Sequence, residues 1–137
     1  MTSKGTCQCG AVHYTVDAPF LYAGYCHCSN CRRTTGSAFS AVAGAPLQAL
    51  RVTKGEDCLT NYARNDNGVR CFCKICGCSL FVLRPNAGLV HVRLGTLDDH
   101  SDMVKPSAHI FVGSKAPWYD ITDSLPQFQE APPMAAP

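Results

Sequence analysis

Apolar and polar positions alternate along most of the chain. Val12, Tyr14 and Val16 share one face of residues 11–16, the period-two pattern of a half-buried strand. Asp17-Ala18-Pro19 breaks that run, and residues 21–25 form a short apolar strand leading to Cys26. Residues 31–36 read as a tight turn or one helical turn stopped by Gly36. Phe39, Ala41 and Ala43 then alternate through a strand over 37–43, which Pro46 interrupts. Further strands are predicted over 49–53, 59–63, 69–73, 80–83, 89–94 and 108–112. Between them lie Lys54-Gly55-Glu56-Asp57, the polar Arg64-Asn65-Asp66-Asn67-Gly68 with a hairpin-like Asn-Gly end, Arg84-Pro85-Asn86-Ala87-Gly88, and a turn-rich stretch over 95–103. No 3.6-residue period lasts beyond about two turns, too short for a self-standing helix. The expected fold is therefore mainly β.

The length of 137 residues suits one domain with its own hydrophobic core, placed at residues 1–130, with an Ala/Pro-rich tail over 131–137 expected to be disordered. The net charge of +2 and the scattered basic residues give no reason to expect nucleic acid or an acidic membrane as partner. Residues 1–10 are polar and lack the apolar stretch of a signal peptide. Nothing approaches the length of a membrane span, so a cytoplasmic location is expected.

Ten cysteines change the picture. In a reducing compartment that usage points to metal binding or catalysis rather than disulfides. They are also clustered: Cys7 and Cys9; Cys26, Cys28 and Cys31; Cys71, Cys73, Cys76 and Cys78; with Cys58 alone. Zinc takes thiolates in a tetrahedron, and a closed structural site draws two close pairs from separate segments. Cys7 with Cys9 makes one pair. Cys73 with Cys76 makes the other, in a knuckle whose Gly77 tolerates the sharp turn. Such a site would tie the start of the chain to its middle and contribute to folding. Cys26, Cys28 and Cys31 remain as a trio with an open fourth place, unless Cys71, Cys78, His27 or His109 completes it.

A divalent zinc with three thiolates is anionic overall. It is a weak Lewis acid toward a carbonyl but well suited to holding a fourth thiol in ionised form. Arg32 and Arg33, next to the trio, could offset that charge or bind a substrate carboxylate, with a solvated surface role the plain alternative for at least one. His27 is expected to point away from the metal, in a supporting or surface position. His109 reads as a satisfied core or rim histidine, Trp118 and Tyr119 as packing, and Cys58 as a small buried hydrophobe. Arg93 faces either outward or into a pocket.

The chain resembles a known family in Gly5-x-Cys7-x-Cys9-Gly10-x-Val12-x-Tyr14, Cys26-His27-Cys28-x-x-Cys31-Arg32, Gly36-Ser37-Ala38-Phe39 and Phe72-Cys73-x-x-Cys76-Gly77. The ending, with Pro106, His109-Ile110, Trp118, Asp120 and Leu125-Pro126, fits as well. The family is that of the glutathione-dependent formaldehyde-activating enzymes, also called S-(hydroxymethyl)glutathione synthase or centromere-protein-V-like. The resemblance implies antiparallel sheets of the Mss4-like, β-tent type. It implies two zinc ions, a structural one on Cys7, Cys9, Cys73 and Cys76 and a catalytic one on Cys26, Cys28 and Cys31. It implies a carbon–sulfur lyase-type enzyme joining a glutathione-like thiol, with Arg32 as its binding residue, to formaldehyde or a related aldehyde. Two other readings compete with it. One is a non-catalytic Mss4-like module with both zincs structural; the other is a redox or metal-buffering protein using Cys58, Cys71 and Cys78.

Overall fold

The computed structural model describes residues 2–63, 68–99 and 104–132. In chain order its elements are β1 (Ser3–Thr6), β2 (His13–Val16), β3 (Tyr22–Cys26), α1 (Ser29–Thr35), β4 (Ser40–Pro46), β5 (Leu50–Lys54), β6 (Leu59–Ala63), β7 (Val69–Cys73), β8 (Ser79–Arg84), β9 (Leu89–Arg93) and β10 (His109–Ile110). The expected mainly β architecture is present, as two open sheets. The smaller has the order β1-β2-β5 and the larger β10-β3-β4-β9-β8-β7-β6. Among the described strands, pairing is antiparallel except where β10 runs parallel to β3.

The predicted alternation in β2 holds: Val12, Tyr14 and Val16 are fully buried. They face Ala43, Ala45, Leu80, Phe81, Val90 and Val92 of the larger sheet, which makes the core between the two layers. Tyr14 meets Phe81 edge to face, with centroids 5.3 Å apart, and its hydroxyl lies 2.8 Å from Thr96 Oγ1. Burial of the Tyr14 ring thus leaves its one polar atom satisfied. The β7–β8 register shifts between Cys71 and Phe72, and the extra residue on β8 lets the consecutive Leu80 and Phe81 both point into the core.

Three elements differ from the sequence expectation. β1 is an additional strand, paired with β2 from Ser3↔Val16 to Thr6↔His13; its Ser and Gly residues hid it. The region read as a tight turn or one helical turn is a helix of about two turns that starts earlier, at Ser29. The last strand shrinks to His109 and Ile110, held by β3 on one side and by residues 126–128 on the other. His109 N–H donates to Pro126 O, and Phe128 N–H donates to His109 O, each at 2.9 Å. Of the Arg64–Gly68 loop, residues 64–67 lie outside the described residues, as do 133–137 of the expected tail. Among the described residues, no helix is long and apolar enough to cross a membrane.

Candidate metal and catalytic site

Each cysteine cluster forms where a strand ends in a tight turn. In the turn before β2, Cys7 N–H donates to Val12 O at 3.1 Å, and Val12 N–H donates to Cys7 Sγ at 3.3 Å. In the turn between β7 and β8, Cys73 N–H donates to Cys78 O, and Gly77 N–H to Cys73 O at 2.7 Å. Gly77 has φ +78° with no atom near its missing Cβ, the conformation expected after the knuckle's second cysteine. The two turns meet, bringing the sulfurs of Cys7, Cys9, Cys73 and Cys76 within 4.8 Å of one another. Cys7···Cys9 and Cys9···Cys73 are 3.7 Å apart, and all four cysteines are free of disulfides. A tetrahedron with metal–sulfur bonds of about 2.3 Å has edges of about 3.8 Å, so these residues fit a zinc ion. Backbone N–H groups of Cys78 and Cys9 hold the Cys76 thiol down at about 6, which favours a thiolate ligand.

The second cluster lies at the end of β3 and the start of α1. Cys26 is the last residue of β3, paired with Ser40 on one side and Ile110 on the other. Cys28 caps α1, its Sγ accepting from Cys31 N–H at 3.3 Å. One helical turn then returns Cys31 to the same place, so the three sulfurs also lie within 4.8 Å of one another. Cys26 and Cys31 hydrogen bond to Cys28 and hold its thiol down to about 2, while Cys28 and then Cys31 push Cys26 up. One negative charge in so small a space keeps a neighbour protonated; a divalent cation would let all three ionise. The donor set therefore fits zinc. Among the described residues no other Cys, His, Asp or Glu ligand atom joins the trio. His27 and His109 bond to each other, and Cys71, whose thiol burial pushes up to about 11, packs in the core with Cys78 against it.

Arg93 stands beside the trio at the end of β9, and of the two situations the sequence left open it takes the inward one. Only 8% of its surface is exposed. Its guanidinium donates to Ser40 Oγ, to Ser79 Oγ at 3.3 Å and to Thr34 Oγ1 at 3.3 Å, and Cys31 lies within its hydrogen-bonding reach. Burial lowers the pKa of this group, and the Cys31 sulfur counters the effect. A cavity of about 360 Å³ opens against it, lined by residues that include Thr34, Ser40, Ser79 and Gly95. The arginines beside the trio divide: Arg33 is exposed, whereas Arg32 is half-buried with an Nε that is buried and has no hydrogen-bond partner.

His27 is fully buried, which overturns a surface position. Its Nε2 lies 2.8 Å from His109 Nδ1, and His109 Nε2 lies 3.0 Å from the Asp123 carboxylate. The satisfied-core expectation for His109 holds. Phe39 packs on His27 at 5.4 Å, and Tyr119 on Phe39 at 5.6 Å between centroids. Tyr119 is thus a packing residue as expected, but Trp118 is not: 69% of it is exposed. Cys58 packs against the core while only half-buried.

A family model described as glutathione-dependent formaldehyde-activating enzyme matches residues 2–114. A Halomonas elongata protein provisionally named such an enzyme is 31% identical over 88% of this chain and 82% of its own length. An uncharacterized lyase of Schizosaccharomyces pombe is 27% identical over 91% of this chain and 89% of its own. The crystal structure of a Rhodobacter sphaeroides protein superposes with a TM-score of 0.59 and 34% identity, covering 75% of this chain and 91% of that one.

Proposed function

This chain belongs to the glutathione-dependent formaldehyde-activating enzyme family, and on that premise we propose that it is a zinc-dependent, carbon–sulfur lyase-type enzyme of the cytoplasm, adding a small glutathione-like thiol to formaldehyde or a related aldehyde. The observation that carries this reading is the trio: Cys26, Cys28 and Cys31 converge on one point, and no fourth described side chain joins them.

In this proposal Cys7, Cys9, Cys73 and Cys76 hold a structural zinc, and Cys26, Cys28 and Cys31 hold a catalytic one. A zinc on three thiolates supplies a place where a thiol loses its proton at neutral pH. The protein's part is to fix the three sulfurs and moderate their charge. Cys26 is clamped between two strands and Cys28 is fixed by the Cys31 N–H. The substrate sulfur forms a bond to the aldehyde carbon, the carbon–oxygen π bond opens, and the proton given up by the thiol is replaced on that oxygen from water. Arg32, with its buried unpartnered Nε, binds the thiol molecule.

Zinc-edge X-ray absorption during a glutathione titration tests the reading. A fourth sulfur should arrive at one of two zincs, and hydroxymethylated thiol should form when formaldehyde is added. Unchanged zinc environments at saturating glutathione and other small thiols would replace it with a binding module.

A further inference from the structure

Arg93 is a buried cation without a matching carboxylate. Among the described residues the ion pairs are Arg51–Asp17 and His109–Asp123, and neither involves it. Its oxygen partners, Ser40, Ser79 and Thr34, are neutral hydroxyls. They fix the orientation of the guanidinium but carry no charge; the Cys31 sulfur counters its burial, and neither ion pair brings it a carboxylate. A guanidinium has five N–H groups, so three bonds to hydroxyls and one toward Cys31 leave one. A buried charge is tolerated when an opposite charge and further hydrogen bonds meet it.

The cavity against Arg93 has the chemistry to admit such a partner. Thr34, Thr35, Ser40 and Ser79 supply hydroxyls, Phe39 supplies an apolar wall, and no acidic residue lines it. The neighbouring cavity shares Ala41 and Gly95 but presents Asp98, Asp99 and Lys105, a mixed set with no such bias. At about 360 Å³ the Arg93 cavity is at the small end of ligand sites, the size for a short arm of a small molecule.

We propose that this cavity is the carboxylate subsite of the enzyme, and that Arg93 is the specificity-determining residue that selects thiols carrying a carboxylate. Arg93 lines the cavity and has Cys31 within hydrogen-bonding reach, so a single group senses both the sulfur cluster and the anionic arm of the incoming molecule. The remaining N–H, with the hydroxyls of Ser40 and Ser79, which accept from Arg93 and still have a proton to donate, can meet one carboxylate together. The subsite rests on the reading that a thiol enters at the trio, and it differs from the Arg32 contact in having a cavity in front of it.

Isothermal titration of the zinc-loaded protein with three probes tests it: 3-mercaptopropionate has thiol and carboxylate, 2-mercaptoethanol only the thiol, and glutarate only carboxylates. Mercaptopropionate should bind about tenfold or more tighter than mercaptoethanol, and glutarate should bind detectably. Arg93→Gln should erase both effects. Because Arg93 is buried, Gly95→Asp is measured beside it. Gly95 is exposed, lines the same cavity, and a Cβ there meets no atom within 4 Å, so the fold accepts the new carboxylate, which should repel both anionic probes. Equal affinity for the two thiols, or a preference surviving these substitutions, overturns the subsite and leaves the thiol reading standing. Glutarate binding that depends on Arg93 while neither thiol binds overturns the thiol reading and keeps the carboxylate site. Silence from all three probes overturns both.

Discussion

His27 Nε2 lies 2.8 Å from His109 Nδ1, so two buried imidazoles from segments 82 residues apart share one hydrogen bond, while His27 Nδ1 is buried without a partner. The Asp123 carboxylate accepts from His109 Nε2 and thereby orients the second ring. Replacing one member strands a buried polar atom, which costs about 1–3 kcal/mol, whereas replacing both removes the unmet need. His109→Phe and His27→Phe should each lower stability in urea melts, and the double variant should lose less than the two combined. Strict additivity would show that the rings do not act as a pair.

The two cysteine clusters should respond differently to loss of one ligand. Cys76→Ser removes a sulfur from the cluster joining the β1–β2 turn to the β7–β8 turn, where a bound zinc would contribute on the order of 10 kcal/mol to folding. It should unfold or grossly destabilise the chain. Cys28→Ser should leave far-ultraviolet circular dichroism and most of the melting temperature intact while lowering the zinc count by one. Equal, large losses in both variants would remove the division into structural and catalytic sites.

At the proposed substrate site, Cys31→Ala should abolish turnover. Arg32→Ala should weaken thiol binding, read as a raised KM, more than it shifts the melting temperature. A lowered melting temperature with unchanged KM would make Arg32 a structural residue.

Gly5 and Gly44 each carry a tyrosine ring where a side chain would stand, Tyr14 and Tyr22 respectively. Tyr14 is fully buried, but Tyr22 is 44% exposed and held at its tip by His91. Gly5→Ala should therefore cost about 2 kcal/mol or more, and Gly44→Ala less, by chemical denaturation. The reverse order would contradict the packing of β1 on Tyr14.

His91 supplies the pH dependence. Burial, with Arg84 and Arg93 nearby, lowers its pKa to about 4, and Arg84 Nε–H donates to its Nδ1 at 3.0 Å. With Nδ1 accepting, Nε2 carries the proton and donates to Tyr22 Oη at 2.6 Å. The unfolded chain takes up this proton near pH 6.5 and the folded chain only near 4. Stability is thus fully present above the unfolded value and is lost as pH falls from about 6.5 to 4, by on the order of 3 kcal/mol. His91→Gln should flatten that part of the stability curve; an unchanged slope would assign it elsewhere.

The parts legible in the sequence were those set by short spacing. Cys26, Cys28 and Cys31 gather within two helical turns, and the Cys73–Gly77 turn carries its own glycine, so both clusters could be read locally. The partition of the quartet followed from pairs close in sequence. Arg93 was missed as a neighbour of the trio because it reaches Thr34, Ser40 and Cys31 only after β9 pairs with β4. Its strand gave no warning, since Val92 and Arg93 are buried consecutively and break the alternation. A charged residue ending an apolar strand was the available signal. His27 was underestimated for a similar reason: its cover comes from β10 and Tyr119. Trp118 shows the opposite error, since large aromatic area favours burial on average but does not enforce it in a short turn.

The clamp on β10 separates two kinds of boundary. The family model's match ends at residue 114. Yet Pro126 and Phe128 bond to both sides of the His109 peptide, and Asp123 orients its ring. A protein cut after Ser114 would still contain every residue the family model matches. It would also bare a strand edge beside Cys26 and leave two buried imidazoles poorly held. The cooperative unit is therefore longer than the diagnostic one, and the last dozen described residues act as a latch beside Cys26.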